Sequence, residues 1–214
     1  MLKKFVMTIR NFLGRSSDAT AEAPVPQIRS DSDHNLVYRQ GTDLVQPYMW
    51  IHALPEKSVQ TPDAQRNLRR GISLLRAVTR YAPDNWNAYW IMGKAFQTLG
   101  ERQLSYEAFK RAFEIRRGNA DVAREYMFAC LDLGIAVEGI AAAQHAVSLK
   151  ESDPGLHANL ALAYLIAGQH ADADKCIDES LRLNPSDTIS RNVKVAIREV
   201  IEGKRRQPKN MGDL

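Results

Sequence analysis

The chain has 214 residues, 44% of them hydrophobic and 25% charged, enough apolar material for one packed domain with extended ends. Two cysteines, Cys130 and Cys176, fall inside helical patterns and argue against a disulfide framework. No run reaches the roughly 20 uncharged apolar residues of a membrane-spanning helix. The net charge of +4 conceals a bipolar layout. Residues 62–119 carry 11 Lys or Arg against 5 Asp or Glu, and residues 120–187 carry 4 against 11. Such poles leave head-to-tail or end-to-end self-association open, or a partner of matching charge. An acidic middle and the lack of aromatics interleaved with the basic residues argue against nucleic acid.

In chain order, residues 1–13 predict a basic amphipathic helix. Leu2, Phe5, Val6, Ile9, Phe12 and Leu13 share one face, with Lys3, Lys4 and Arg10 off it. Three uses fit that pattern: lying on a membrane surface, docking on a partner, or serving as an organelle presequence; a frayed, idle helix is the plain alternative. Residues 14–35 turn to Ser, Ala, Asp and Pro and read as a disordered linker. Residues 36–61 regain Tyr38, Tyr48, Met49 and Trp50 and read as an irregular segment that caps the domain or folds into its groove. Thr61 and Pro62 supply a cap and a first-turn proline for a helix running to about Ala82. Pro55 and Pro62 interrupt the window where a helix partner would lie in register, so this unit reads as half a repeat.

From residue 86 the sequence repeats every 34 residues, over 86–119, 120–153 and 154–187. Gly100, Gly134 and Gly168 each follow a helical pattern, where a left-handed residue ends a helix and reverses the chain. Small residues recur at close-contact columns: Gly93 and Ala161; Ser105, Gly139 and Ala173; Ala112, Ala146 and Ser180. Large ones recur between them: Met92, Tyr126 and Leu160, then Phe96, Cys130 and Tyr164. Knobs that alternate with gaps suit interdigitated helix packing. Pro185 closes the third unit, and Ser186 is positioned to cap a final helix over 187–202. Its stripe of Ile189, Val193, Ala196, Ile197 and Val200 makes it a capping helix. Lys204, Arg205, Arg206 and Lys209 then form a basic tail, read as solvated.

These positions resemble the tetratricopeptide repeat. The resemblance rests on Tyr89, Met92, Gly93, Phe96, Gly100, Ser105, Phe109 and Ala112, and on Leu160, Ala161, Tyr164, Gly168, Ala173, Ile177, Ser180 and Pro185. The middle unit departs from it, with Met127 at the small site and Glu151 in place of the closing proline. The resemblance implies an all-α, right-handed helical-repeat solenoid over 62–203 with a flexible N-terminal extension, whose first helices line a concave surface. It also implies a protein or peptide partner bound there, on Trp90, Lys94, Gln97, Arg124, Phe128, Leu131, Asn159, Leu162, Leu165 and Asn192. The terminal-carboxylate clamp of one family branch is not matched: its places hold Trp90, Lys94, Glu125, Gly155 and Asn159, of which only Lys94 suits a carboxylate.

Leu162, Leu165 and Ile166 make one end of that groove apolar, whereas Lys94, Gln97 and Arg124 keep the other polar, which points to an apolar or amphipathic ligand. No catalytic constellation stands out, and no cofactor-binding loop. His170, Asp172, Asp174 and Cys176 look like metal ligands as a string, but successive members two apart on a helix point in different directions. The expectation is therefore a non-enzymatic scaffold or adaptor, with an assembly or targeting chaperone for an apolar client, and a membrane-surface or imported adaptor acting through residues 1–13, as alternatives. A cytoplasmic location is expected, with a membrane periphery or organelle import left open by the leader.

Overall fold

A computed structural model describes residues 24–49 and 61–214. The predicted leader helix of Leu2, Phe5, Val6, Ile9, Phe12 and Leu13 lies outside the described residues, as do the first part of the predicted linker and Trp50. The described chain is all-α. Its helices are α1 (Asp31–Val45), α2 (Pro62–Tyr81), α3 (Trp86–Thr98), α4 (Arg102–Ile115), α5 (Ala120–Asp132), α6 (Ala136–Leu149), α7 (Pro154–Ile166), α8 (His170–Leu183) and α9 (Thr188–Ile201). No described helix is long and apolar enough to cross a membrane.

The 34-residue period is written into the helix ends. Asn85, Asn119, Asp153 and Asp187 stand one period apart, and each side chain accepts a backbone N–H in the first turn of α3, α5, α7 or α9. A carboxylate or amide there satisfies donors that the helix leaves open, worth about 1 kcal/mol each. The cap of α9 is thus Asp187, not Ser186 as read from the sequence; Ser186 bonds back to Asn184 instead. At the other ends, Gly100, Gly134 and Gly168 take φ of 74°, 72° and 74°. The amides of Glu101, Ile135 and Gln169 then reach back to the carbonyls of Phe96, Cys130 and Tyr164, all at 2.9 Å. That six-to-one bond locks the reversal, so α3, α5 and α7 each fold back into the next helix.

Within each pair the small columns do what their size allows. A Cβ at Gly93 would sit 2.7 Å from the Phe109 ring, and one at Gly139 would sit 2.8 Å from Leu131. Ala112, Ala146, Ala161, Ala173 and Ser180 are all buried. Ser105 uses its hydroxyl to donate to the Gly93 carbonyl at 3.0 Å, and Ser180 donates to the Pro154 carbonyl at 2.8 Å. Small polar side chains therefore bring helices close without leaving a buried group unpaired.

Two parts of the sequence reading need correction. Residues 31–35 are not linker and 36–45 are not irregular, because they form α1, which packs along α2 as a complete helix pair. The first helix of this pair lies upstream of the proline-interrupted window. Ser30 caps α1, and a short 3-10 turn at Gln46–Tyr48 ends it. Gly41 and Gly71 mark the crossing: a Cβ on Gly71 would lie 2.5 Å from Val45 Cγ2 and 2.9 Å from the Gly41 carbonyl oxygen. In α9, Ile189 does not join the buried stripe and is 71% exposed; Val193, Ala196, Ile197 and Val200 pack inward.

Candidate functional site

Two layers follow from how the pairs stack. Among the first helices, α1 touches α3, α5 touches α7 and α7 touches α9, with α3 and α5 joined through the Lys94–Glu125 side chains. Among the described residues no two second helices meet to the extent of those three pairs. The first-helix layer is the tighter one and so forms the concave side. All ten candidate groove residues lie on α3, α5, α7 and α9. Their environments differ.

At the α3–α5 end, Lys94 is the hub. Its Nζ lies 2.8 Å from Glu125 Oε2, with the two side chains only 6% and 7% exposed. The same ammonium donates to Gln97 Oε1 at 3.3 Å and stands 5.8 Å from the Trp90 ring centroid. Arg124 reaches Glu125 Oε1 at 3.4 Å and Asp121 at 2.9 Å. Trp90, Gln97 and Arg124 are therefore gathered around one buried Lys94–Glu125 ion pair. That arrangement corrects the placement of Lys94 as an available groove residue, since it is buried and its charge is already matched at close range, in keeping with the unmatched carboxylate clamp. The segment after α1 closes this end: Tyr48 and Met49 are buried, and Thr98 Oγ1 donates to the Tyr48 carbonyl at 3.3 Å.

At the α7–α9 end, Leu162 and Asn192 share a cleft of about 410 Å³ with Val193, Ala196, Arg205 and Leu214. Phe128 is half-buried against the cluster formed by Tyr126, Cys130 and Leu160, and Asn159 is half-buried on α7. Leu131 and Leu165 are fully buried and belong to the core, which corrects their placement as exposed groove residues. Leu131 points at Gly139 of its own pair, so the absence of a side chain on α6 draws it inward.

The larger correction concerns the basic tail. The sequence reads residues 204–214 as solvated, but beyond Gly203 (φ 70°) the chain folds back over α7 and α5. Gln207 Nε2 donates to the Leu165 carbonyl, and Gln207 Oε1 lies 2.6 Å from His170 Nε2. The Pro208 side chain is less than 2% exposed. Met211 packs against the core cluster that contains Tyr126 and Leu131. Lys209 passes with its carbonyl oxygen 3.1 Å from where a Cβ on Gly134 would be. On α5 the Asp132 carboxyl is held above the usual range by burial, with the Arg102 charge pulling the other way. Sequence reasoning missed Gln207, Pro208 and Met211; a lone Met inside a basic run was the available signal, since Gln and Pro are mostly surface residues.

Burial pushes the Cys130 thiol up to about 12 and the Cys176 thiol up to about 11, so neither is a ready nucleophile. Among the described residues no group of three or more His, Cys, Asp or Glu could hold a metal ion. On the outer side, Glu138 accepts from Tyr106 at 2.9 Å and from Tyr126. The Tyr126 and Tyr106 hydroxyls hold that carboxyl below its ordinary range.

A tetratricopeptide repeat model matches residues 87–119 and 154–187. The middle pair, which departs from the pattern at Met127 and Glu151, is not among the matched segments. No curated protein matches the sequence. Among solved structures, the chain is similar to MamA, with 14% identity over 81% of this chain and 85% of that one at a TM-score of 0.65. It is similar to PilF of Pseudomonas aeruginosa, with 19% identity over 81% and 70% and a TM-score of 0.57. A third is YrrB, described as a tetratricopeptide protein with an unusual peptide-binding site, with 12% identity over 62% and 72% and a TM-score of 0.55.

Proposed function

We infer that this tetratricopeptide-repeat protein is a non-enzymatic interaction module that holds a segment of a partner protein along its first-helix face. The carrying observation is the cleft between α7 and α9, with Leu162, Val193 and Ala196 as apolar walls and Asn192 at its rim. An apolar anchor site with a polar edge is how protein segments are usually held, with few residues contributing most of the affinity. Half-buried Phe128 and Trp90 extend the apolar surface toward α3, which favours a ligand with several apolar side chains in series. The peptide-binding site described for YrrB supports the class of ligand. An assembly or targeting chaperone would use the same cleft on an apolar client, and differs in that its client loses solubility when the protein is removed.

Leu162→Glu combined with Trp90→Ala tests the assignment in affinity capture with the full-length chain. Val137→Glu serves as control, since Val137 is 82% exposed on α6, a second helix. The double variant should retain at least about tenfold less partner than wild type, in line with losing a central anchor, while the control retains the same amount. Equal retention by all three proteins would show that partners do not use this face.

A further inference from the structure

We propose that residues 204–214 are an internal ligand of the first-helix face, seated on α5 and α7, which a partner segment of the same chemistry displaces; the displacement rests on the interaction-module reading. The end of the solenoid is already covered by a helix. Helix α9 already caps the solenoid: its inward stripe is buried, and Lys194 is tied to Asp174 at 3.0 Å, with Asp178 as its second partner. The chain nevertheless returns across two repeat units.

The seat is built rather than incidental. Both ends of the Gln207 amide are used, one by the Leu165 carbonyl and the other by His170. Pro208 is buried, and half-buried Met211 packs against the core cluster that contains Tyr126 and Leu131. At Gly134 the positive φ already demands glycine, and any side chain would also crowd the passing Lys209 carbonyl. The seated segment is braced by hydrogen bonds of its own. Arg205 Nη1 donates to the Leu214 carbonyl at 3.3 Å, the Lys209 amide donates to Asp213 at 2.8 Å, and the Gly212 amide donates to Asn210 at 2.8 Å. Such a closed loop loses less entropy on seating than an open strand.

Charge agrees with this assignment. The segment contributes four Lys or Arg against one Asp, and it lies on the half of the solenoid where acidic residues outnumber basic ones by 11 to 4. Lys204 and Arg205 pair with Glu202 and Glu199 near the end of α9, so the hold on α5 and α7 comes mainly from Gln207, Pro208 and Met211. Three side chains make a seat that exchanges. The partner segment that fits it carries a Gln-Pro pair and places an unbranched apolar side chain three residues beyond the proline.

The test uses a fluorescent synthetic peptide of residues 203–214 and the full-length chain. Fluorescence anisotropy compares wild type with Gln207→Ala/Pro208→Ser, and with Met211→Ser as an independent second variant; circular dichroism checks that each is folded. If the segment occupies its seat nine-tenths of the time or more, the apparent affinity of wild type for the peptide is at least about tenfold weaker than that of the variants. A control peptide carrying Gln207→Ala and Pro208→Ala should lose binding to the variants. Equal affinity of wild type and both variants, or no binding to either variant, would overturn the proposal. The peptide reports on the seat alone. Peptide binding together with partner capture that ignores Leu162→Glu would retire the interaction reading and leave the internal ligand standing, and the reverse pattern would do the opposite.

Discussion

Lys94 and Glu125 set the character of one end of the groove, and neither acts alone. Two charges taken out of water need each other, and removing one partner leaves the other uncompensated at a cost of about 3–5 kcal/mol. Lys94→Met should therefore destabilise the protein by several kcal/mol, with Arg124 at 3.4 Å softening the loss. Lys94→Met/Glu125→Leu should recover most of it, since a well-packed apolar pair of similar size is often neutral. Urea denaturation of the three proteins measures this, and a double variant as unstable as the single one would contradict it. Much at this scale is legible along the chain: the turn glycines, the small columns and the buried Cys130 follow from local backbone and volume, whereas Cys176 is only half-buried. The repeated caps Asn85, Asn119, Asp153 and Asp187 act within three residues of themselves, yet a neighbouring Ser186 of equal capping chemistry is enough to misplace the last of them. Lys94 is not, since its partner lies 31 residues away and nothing in the period announces a buried pair.

Among the elements, α1 carries the lesson about register. A repeat is recognised by spacing, and the period places a first helix 34 residues before α3, where Pro55 and Pro62 forbid it. Packing imposes no such spacing. The apolar face of α2 has to be covered, and α1 covers it from further upstream, with Val37 and Val45 buried beside Leu68, Leu75 and Val78. The Gly41–Gly71 crossing tests this pairing directly. Gly71→Ala places a methyl group against a backbone carbonyl that cannot swing aside, and it should destabilise by about 1–3 kcal/mol. On helix propensity alone the same change in an exposed helix would stabilise by about 1 kcal/mol. Thermal or urea unfolding gives the sign: a more stable Gly71→Ala protein would mean that α1 does not approach α2 so closely.

For the whole molecule, stability is distributed along a stack in which each pair rests on its neighbours. Units with two neighbours open less readily than terminal ones. Hydrogen exchange should therefore protect α5 and α6 most, with α1 and α9 opening first. The folded-back segment adds a signature of its own, because amides at the end of α7 and around Gly134 should exchange faster in Gln207→Ala/Pro208→Ser than in wild type. Uniform protection from α1 to α9 would speak against the quasi-linear picture.

Periodicity, caps, turn glycines and the small-large alternation are enough, in the sequence by itself, to specify an all-α solenoid of helix pairs. They suffice because each acts within one turn or one repeat, and the repeat occurs often enough to be read. Three matters belong to the tertiary structure: which helix completes the first pair, which groove residues stay available, and where residues 204–214 come to rest. Each depends on two segments far apart in sequence meeting in space, as Gln207 meets Leu165 across 42 residues. Burial is a property of the assembled stack, so Leu131, Leu165 and Lys94 occupy groove positions in the sequence register and the interior in the folded chain.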